Sequence, residues 1–133
     1  NKLSWDEYFI QIAKVVALKS KDPNTQVGSV IVDKENRIVS TGFNGFPAGM
    51  REYPHLWESP TKHKFVIHSE INSILYAKCD LKGYTLYCTL EPCQECAKLI
   101  CAVGIKRVVY LDTRENKEAR EMFILNGVTL EKL

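Results

Sequence analysis

The chain has no apolar run approaching the roughly 18 residues that a membrane-crossing helix needs, so no membrane partner is expected. It also has no stripe or tail of one charge. Its 18 basic and 16 acidic residues are interspersed over 133 positions, for a net charge of +2. A dedicated polynucleotide binder usually carries a basic face; this balance speaks against a nucleic-acid partner and leaves a small phosphorylated molecule open. Low-complexity stretches and internal repeats are missing, and with them any sign of a linker, so residues 1–133 read as a single domain. The five cysteines are an odd number, two of them have metal spacing, and no apolar signal segment precedes them. That usage reads against a disulfide scaffold, and a reducing, cytoplasmic compartment is expected. Cys79, Cys88 and Cys101 read as small core residues.

Against these absences stands one dense pattern: His68-x-Glu70, followed downstream by Pro92-Cys93-x-x-Cys96. One imidazole and two thiolates fill three positions of a tetrahedral Zn²⁺ and leave the fourth for water, whereas a structural zinc normally takes four protein ligands. Glu70 is then a spare carboxylate beside the metal, where a general acid/base has to stand. A Cys-x-x-Cys alone is a weak signal. The whole pattern is the signature of zinc-dependent nucleobase deaminases.

Ser4 and Glu7 make a Ser-x-x-Glu capping box ahead of apolar residues at Tyr8, Phe9, Ile12, Val15, Val16 and Leu18, which predicts a first helix. Val27–Asp33 and Arg37–Gly42 predict a hairpin. Ser69–Lys78, Cys93–Ala102 and Glu115–Asn126 read as helices, and Thr85–Leu90, Lys106–Asp112 and Val128–Leu133 as strands. The order α-β-β-α-β-α-β-α-β implies a three-layer α/β/α sandwich around a five-stranded mixed sheet. His68 and Glu70 then open one helix, and Cys93 and Cys96 another, with Pro92 suited to the first turn. Helix N-termini favour thiolates.

Four segments carry a resemblance: Ser20-Lys21-Asp22-Pro23-Asn24-Thr25-Gln26-Val27-Gly28, Gly42-Phe43-Asn44-Gly45-Phe46-Pro47-Ala48-Gly49, His68-Ser69-Glu70-Ile71-Asn72-Ser73-Ile74 and Thr89-Leu90-Glu91-Pro92-Cys93-Gln94-Glu95-Cys96. Over almost its whole length the chain resembles the deoxycytidylate deaminases. The resemblance implies the cytidine deaminase-like fold and zinc-dependent hydrolysis of dCMP to dUMP, which supplies thymidylate synthesis. It implies His68, Cys93 and Cys96 as zinc ligands, Glu70 as the general acid/base, and Asn44 against the sugar. The residue after the histidine is usually alanine and here is Ser69; its backbone amide would meet the pyrimidine carbonyl, a contact that does not need the side chain. A carbonyl in the Thr89–Glu91 turn would accept from the departing amine. The resemblance further implies a homohexamer activated by dCTP and inhibited by dTTP, with Mg²⁺, through Asn44, Gly45 and Phe46.

Phosphate contacts are expected from Lys21, Asn24 and Arg114, with Lys62 and Lys64 also flanking the site, since each can make charge-assisted hydrogen bonds. Arg114 follows a strand at its carboxyl end, where ligands of α/β sheets sit, and an arginine there raises the expectation that dCTP is accepted alongside dCMP. Phe46–Ile67 holds three of the five prolines and lacks periodicity; irregular connections beyond about 12 to 15 residues are usually functional or disordered, and this one is expected to cover the nucleotide. Tyr53, Trp57 and Phe65 serve equally well to stack on a base or to pin the loop. His55 and His63 read as loop residues.

Two rival readings share parts of the pattern. A tRNA adenosine deaminase or a single-strand cytidine deaminase uses the same zinc chemistry on an extruded base; the missing basic stripe and the Gly-Phe-Asn-Gly-Phe-Pro segment count against it. A non-catalytic zinc-stabilised module would need a fourth ligand and has no use for Glu70.

Overall fold

The computed structural model describes residues 2–133. The capping box forms as expected: the Ser4 hydroxyl accepts from the Glu7 amide at 3.1 Å, and the Glu7 carboxylate accepts from the Ser4 amide at 2.8 Å. Two orphan donors are thereby satisfied, and helix α1 runs Trp5–Ala17. Strands β1 (Gly28–Val32) and β2 (Ile38–Phe43) form the hairpin. Helix α2 (Ser69–Tyr76), strand β3 (Thr85–Leu90), helix α3 (Gln94–Ala102), strand β4 (Arg107–Asp112), helix α4 (Lys117–Leu125) and strand β5 (Thr129–Lys132) complete the chain.

The sheet order is β2-β1-β3-β4-β5. β1 is antiparallel to both of its neighbours, while β3, β4 and β5 run parallel. The sheet is therefore mixed, as the element order predicted, and helices cover both of its faces. Alternation along the strands divides the core in two. Val30, Val32, Tyr87 and Val109 face Phe9, Ile10 and Ala13 of α1. Ile31, Leu86, Cys88, Val108 and Tyr110 face the other way, against Cys96, Ala97 and Ile100 of α3 and Ala119 and Phe123 of α4.

Two glycines allow backbone to meet backbone. A Cβ on Gly28 would strike the Ala13 carbonyl oxygen and lie 2.6 Å from the Ala17 nitrogen, so α1 lies directly on β1. A Cβ on Gly42 would strike the Ser69 carbonyl oxygen and lie 2.5 Å from the Ser73 nitrogen, so α2 presses its first turn onto β2.

Element bounds differ from the sequence reading by one or two residues, and at two of them the cause is local. α2 ends at Tyr76, two residues before Lys78, because Ala77 turns to an extended ψ of 134°. Pro92 stands outside α3, one residue ahead of the N-cap Cys93. Without an amide hydrogen it serves the approach to the helix and not its first turn. Phe46–Val66 is closed at its base by a two-way backbone pairing of Gly45 with Ile67, at 3.0 and 2.7 Å. Within it are two short 3₁₀ helices, Pro54–Trp57 and Thr61–Lys64.

Candidate active site

Because β1 runs opposite to β2 and β3, the end of β2, the start of β1 and the carboxyl ends of β3 and β4 fall at one rim of the sheet. Residues far apart in sequence converge there. His68 is the N-cap of α2 and Cys93 the N-cap of α3, with Cys96 in the first turn of α3. The Nδ1 of His68 lies 3.3 Å from the Cys96 sulfur and 3.4 Å from the Cys93 sulfur. The three donor atoms lie within 4.8 Å of one another. Ordinary Zn–N and Zn–S bonds at a tetrahedral angle separate nitrogen from sulfur by about 3.6 Å, so the donors already stand at the spacing zinc needs.

The electrostatics agree. The Cys93 thiol is brought down to about 3 by a hydrogen bond from Cys96, and His68 also lowers it. Cys96 moves the opposite way, raised by the Cys93 thiolate, by burial and by the nearby Glu70 carboxylate. The two thiols are coupled, and a cation between them would favour the ionised form of both. His68 is raised, chiefly by its hydrogen bond to Cys93.

Glu70, 2% exposed, sits in the same first turn of α2 and lines the cleft beside His68. The turn is clamped to the sheet. The Ser29 hydroxyl donates to the Ser69 carbonyl at 2.9 Å, the Ser73 hydroxyl donates to the Glu70 carbonyl at 2.8 Å, and the Asn72 amide donates to the Phe43 carbonyl at 2.8 Å. The Ser69 side chain donates to the Glu70 carboxylate. Among the described residues, every buried polar side-chain atom has a partner.

The cleft opens to solvent at its mouth and encloses a cavity of about 140 Å³. Asn44, Ser69 and Arg114 line it as expected, and so do Val27, Val66 and Leu90, which give it apolar walls. Lys21 and Asn24 do not. Lys21 is exposed and pairs with Glu52 at 3.3 Å, while the Asn24 backbone caps the Asp22 carboxylate at 2.8 Å. Lys62 reaches the cleft, but Asp22 neutralises its ammonium at 2.9 Å with both side chains nearly buried. Lys64 is exposed and lies away from the cleft lining. Arg114 is exposed at the rim, and its backbone amide donates to Glu91.

The Asn44 amide is largely occupied by protein. It accepts from the Val27 amide at 2.9 Å and donates to the Thr25 carbonyl at 2.9 Å and to Asp22 at 3.4 Å. It fixes the segment ahead of β1 against the end of β2, and one Oδ1 lone pair stays available to a ligand.

The aromatic residues of the loop choose between the two roles left open above. Trp57 is 8% exposed and stacks on Phe46 with centroids 4.1 Å apart, and Phe65 meets Phe46 edge-on at 6.4 Å. They pin the loop. Sequence reasoning missed Asp22, whose turn signal hid a buried carboxylate, and His63, which lines the cleft. It also missed the Glu91 side chain, wholly buried and held by Arg120. A Glu in a strand-to-helix turn, with an Arg on a later helix, gives no spacing signal that marks the two as partners.

The chain matches the family model of the cytidine and deoxycytidylate deaminase zinc-binding region over residues 3–112. It is 42% identical to human deoxycytidylate deaminase over 142 aligned residues, covering 98% of this chain and 80% of that protein. It is 48% identical over 112 residues to a probable deoxycytidylate deaminase of Caenorhabditis elegans, covering 80% of this chain and 57% of that protein. The crystal structure of the dCMP deaminase of cyanophage S-TIM5 in complex with dCMP and dUMP matches with a TM-score of 0.84 and 26% identity, covering 100% of this chain and 99% of that one. The matched region holds the three metal donors, Glu70 and every cleft-lining residue except Arg114, and the chain belongs to the cytidine and deoxycytidylate deaminase family.

Proposed function

We infer that this chain is a zinc-dependent hydrolase that converts dCMP and water to dUMP and ammonia in one catalytic domain. The observation that carries the reading is the His68, Cys93 and Cys96 donor set with Glu70 beside it in one cleft, in a chain 42% identical to a deoxycytidylate deaminase over nearly its full length. When bound, zinc supplies Lewis acidity that brings the pKa of a water molecule toward neutrality. His68, Cys93 and Cys96 hold the ion. Glu70 moves the protons. It takes one from the attacking water and gives it to the ring nitrogen beside the carbon that bears the amino group, then takes the second from the hydroxyl now on that carbon and delivers it to the amine, so that ammonia leaves and the carbonyl forms.

Val27, Val66 and Leu90 form apolar walls suited to a base and a deoxyribose, with the Ser69 amide toward the pyrimidine carbonyl and Asn44 toward the sugar. Arg114 takes the phosphate. Among the described residues it is the cleft-lining Lys or Arg that makes no ion pair, since Lys62 is paired with Asp22. An exposed arginine at an open mouth also leaves room for a triphosphate. Lys21 and Asn24 stand outside the cleft lining and would contribute only across the rim.

Regulation by dCTP and dTTP with Mg²⁺ finds support in a second groove lined by Lys19, Phe43, Gly45, Phe46, Asn72 and Tyr76. The Asn44–Phe46 segment separates that groove from the catalytic cleft, so a molecule seated on Gly45 and Phe46 would press on Asn44. Exposed Leu75, Tyr76 and Leu99 on α2 and α3 support assembly into a homo-oligomer. The cysteine usage supports a cytoplasmic setting. Among the described residues no helix is long and apolar enough to cross a membrane.

Ammonia release measured on dC, dCMP, dCTP, CMP and a short single-stranded DNA, with and without dTTP, tests the reading. Turnover of dCMP is expected. Activity confined to the single-stranded DNA would overturn it.

A further inference from the structure

Adjacent residues of a helix point about 100° apart and do not ordinarily meet. Ser69 and Glu70 nevertheless meet in the first turn of α2. The Ser69 hydroxyl then donates to Oε1 of Glu70. Ser69 is 0% exposed and its own carbonyl is held by Ser29 at 2.9 Å, so the donor is fixed before the carboxylate reaches it.

We propose that Ser69 is a positioning residue: its hydroxyl tethers Oε1 of Glu70, locks the carboxylate in one rotamer, and leaves Oε2 as the oxygen that carries the proton between water and base. The inference rests on the deaminase reading and adds to it. The chemistry needs one carboxylate oxygen to visit three proton positions in turn, on the water, the ring nitrogen and the amine, and a carboxylate free to rotate would spend part of its time facing none of them. The Ser69 hydroxyl removes that freedom without touching substrate, and it leaves the Ser69 backbone amide to its own contact.

The test uses the zinc-loaded protein and the variants Ser69→Ala, Ser69→Cys, Glu70→Gln and Ser69→Ala/Glu70→Gln. Ser69→Ala is expected to lower kcat for dCMP about tenfold, with KM and bound zinc unchanged. Ser69→Cys keeps a donor, weaker and carried on a larger atom, and should fall between the parent and Ser69→Ala. In the Glu70→Gln background, Ser69→Ala should change the residual rate little, because the group it positions is gone. An infrared difference spectrum, parent against Glu70→Gln and recorded with and without Ser69→Ala, reads the tether without turnover: the carboxylate band should move when the hydroxyl is removed. Wild-type kcat in Ser69→Ala, an unmoved carboxylate band, or an equal loss of rate with and without Glu70 would overturn the proposal. A parent protein inactive on dCMP would instead overturn the deaminase reading, and the infrared measurement would still decide the tether.

Discussion

The wholly buried Glu91 carboxylate lies against the Arg120 guanidinium, with Nε 2.7 Å from Oε2 and a terminal nitrogen 2.9 Å from Oε1. This two-point pairing ties α4 to the turn that leads through Pro92 into Cys93. The same carboxylate accepts from the Arg114 amide, so one buried charge anchors both the metal turn and the segment bearing the rim arginine. Arg120→Met is expected to lower the Tm and to speed loss of zinc to a chelator about tenfold, the usual scale for a group supporting a metal site. Differential scanning fluorimetry and a metallochromic dye read the two effects.

Asp22→Asn should destabilise the fold by about 3 kcal/mol at neutral pH, because it leaves the nearly buried Lys62 ammonium unpaired. Burial pushes the Asp22 carboxyl up, but the Asn24 and Thr25 amides and Lys62 together bring it below its ordinary 3.8. A carboxyl depressed in the folded state stabilises fully above its unfolded pKa and loses that contribution as pH falls through the folded value. The difference between parent and variant in urea denaturation should therefore be constant at neutral pH and shrink below about pH 4.

Glu70→Gln should keep zinc and lose turnover by about two to four orders of magnitude, the range that a positioned acid/base contributes. Metal analysis beside ammonia release checks both halves. Full zinc with near-native turnover would remove Glu70 from the proton path.

Gly42→Ala links the fold to the chemistry. Its methyl would meet the Ser69 carbonyl and the Ser73 nitrogen, and overpacking of this kind costs about 1 to 3 kcal/mol. Since Ser69 and Glu70 ride on that turn, kcat should fall together with Tm, whereas Gly28→Ala, which presses on α1, should lower Tm with less effect on kcat.

Arg114→Ala should raise KM for dCMP about tenfold, the loss of roughly one charge-assisted hydrogen bond, and leave kcat/KM for dC unchanged. Steady-state kinetics on the two substrates separates a phosphate contact from a general effect on the cleft.

Much of the fold was legible in advance because its signals are local. Ser4 and Glu7 announced α1, Gly104 and Gly127 stopped α3 and α4, and the strands stood out by their β-branched residues. The strand order β2-β1-β3-β4-β5 is a long-range property that no window of sequence carries. The same division runs through the site. Lys62 read as a phosphate candidate because it flanks a loop expected to ring the site, yet its ammonium belongs to Asp22, which lies forty positions away. Trp57 and Phe65 were undecided between ligand and loop until Phe46 was found between them.

What the sequence determined by itself was the donor chemistry. An imidazole, two thiols one helical turn apart and a carboxylate two residues from the imidazole specify zinc and a proton carrier, because ligand type and spacing within one turn are local quantities. Only the tertiary structure decided which groups surround them. Bringing the ends of β1, β2, β3 and β4 to one rim placed Asp22, Asn44, Lys62 and Arg114 around the donors. It also made the Ser69 side chain, for which the sequence indicated no role, a buried donor to Glu70. A hydrogen bond is decided by distance and direction in space, and the packing of α2 on Gly42 sets both.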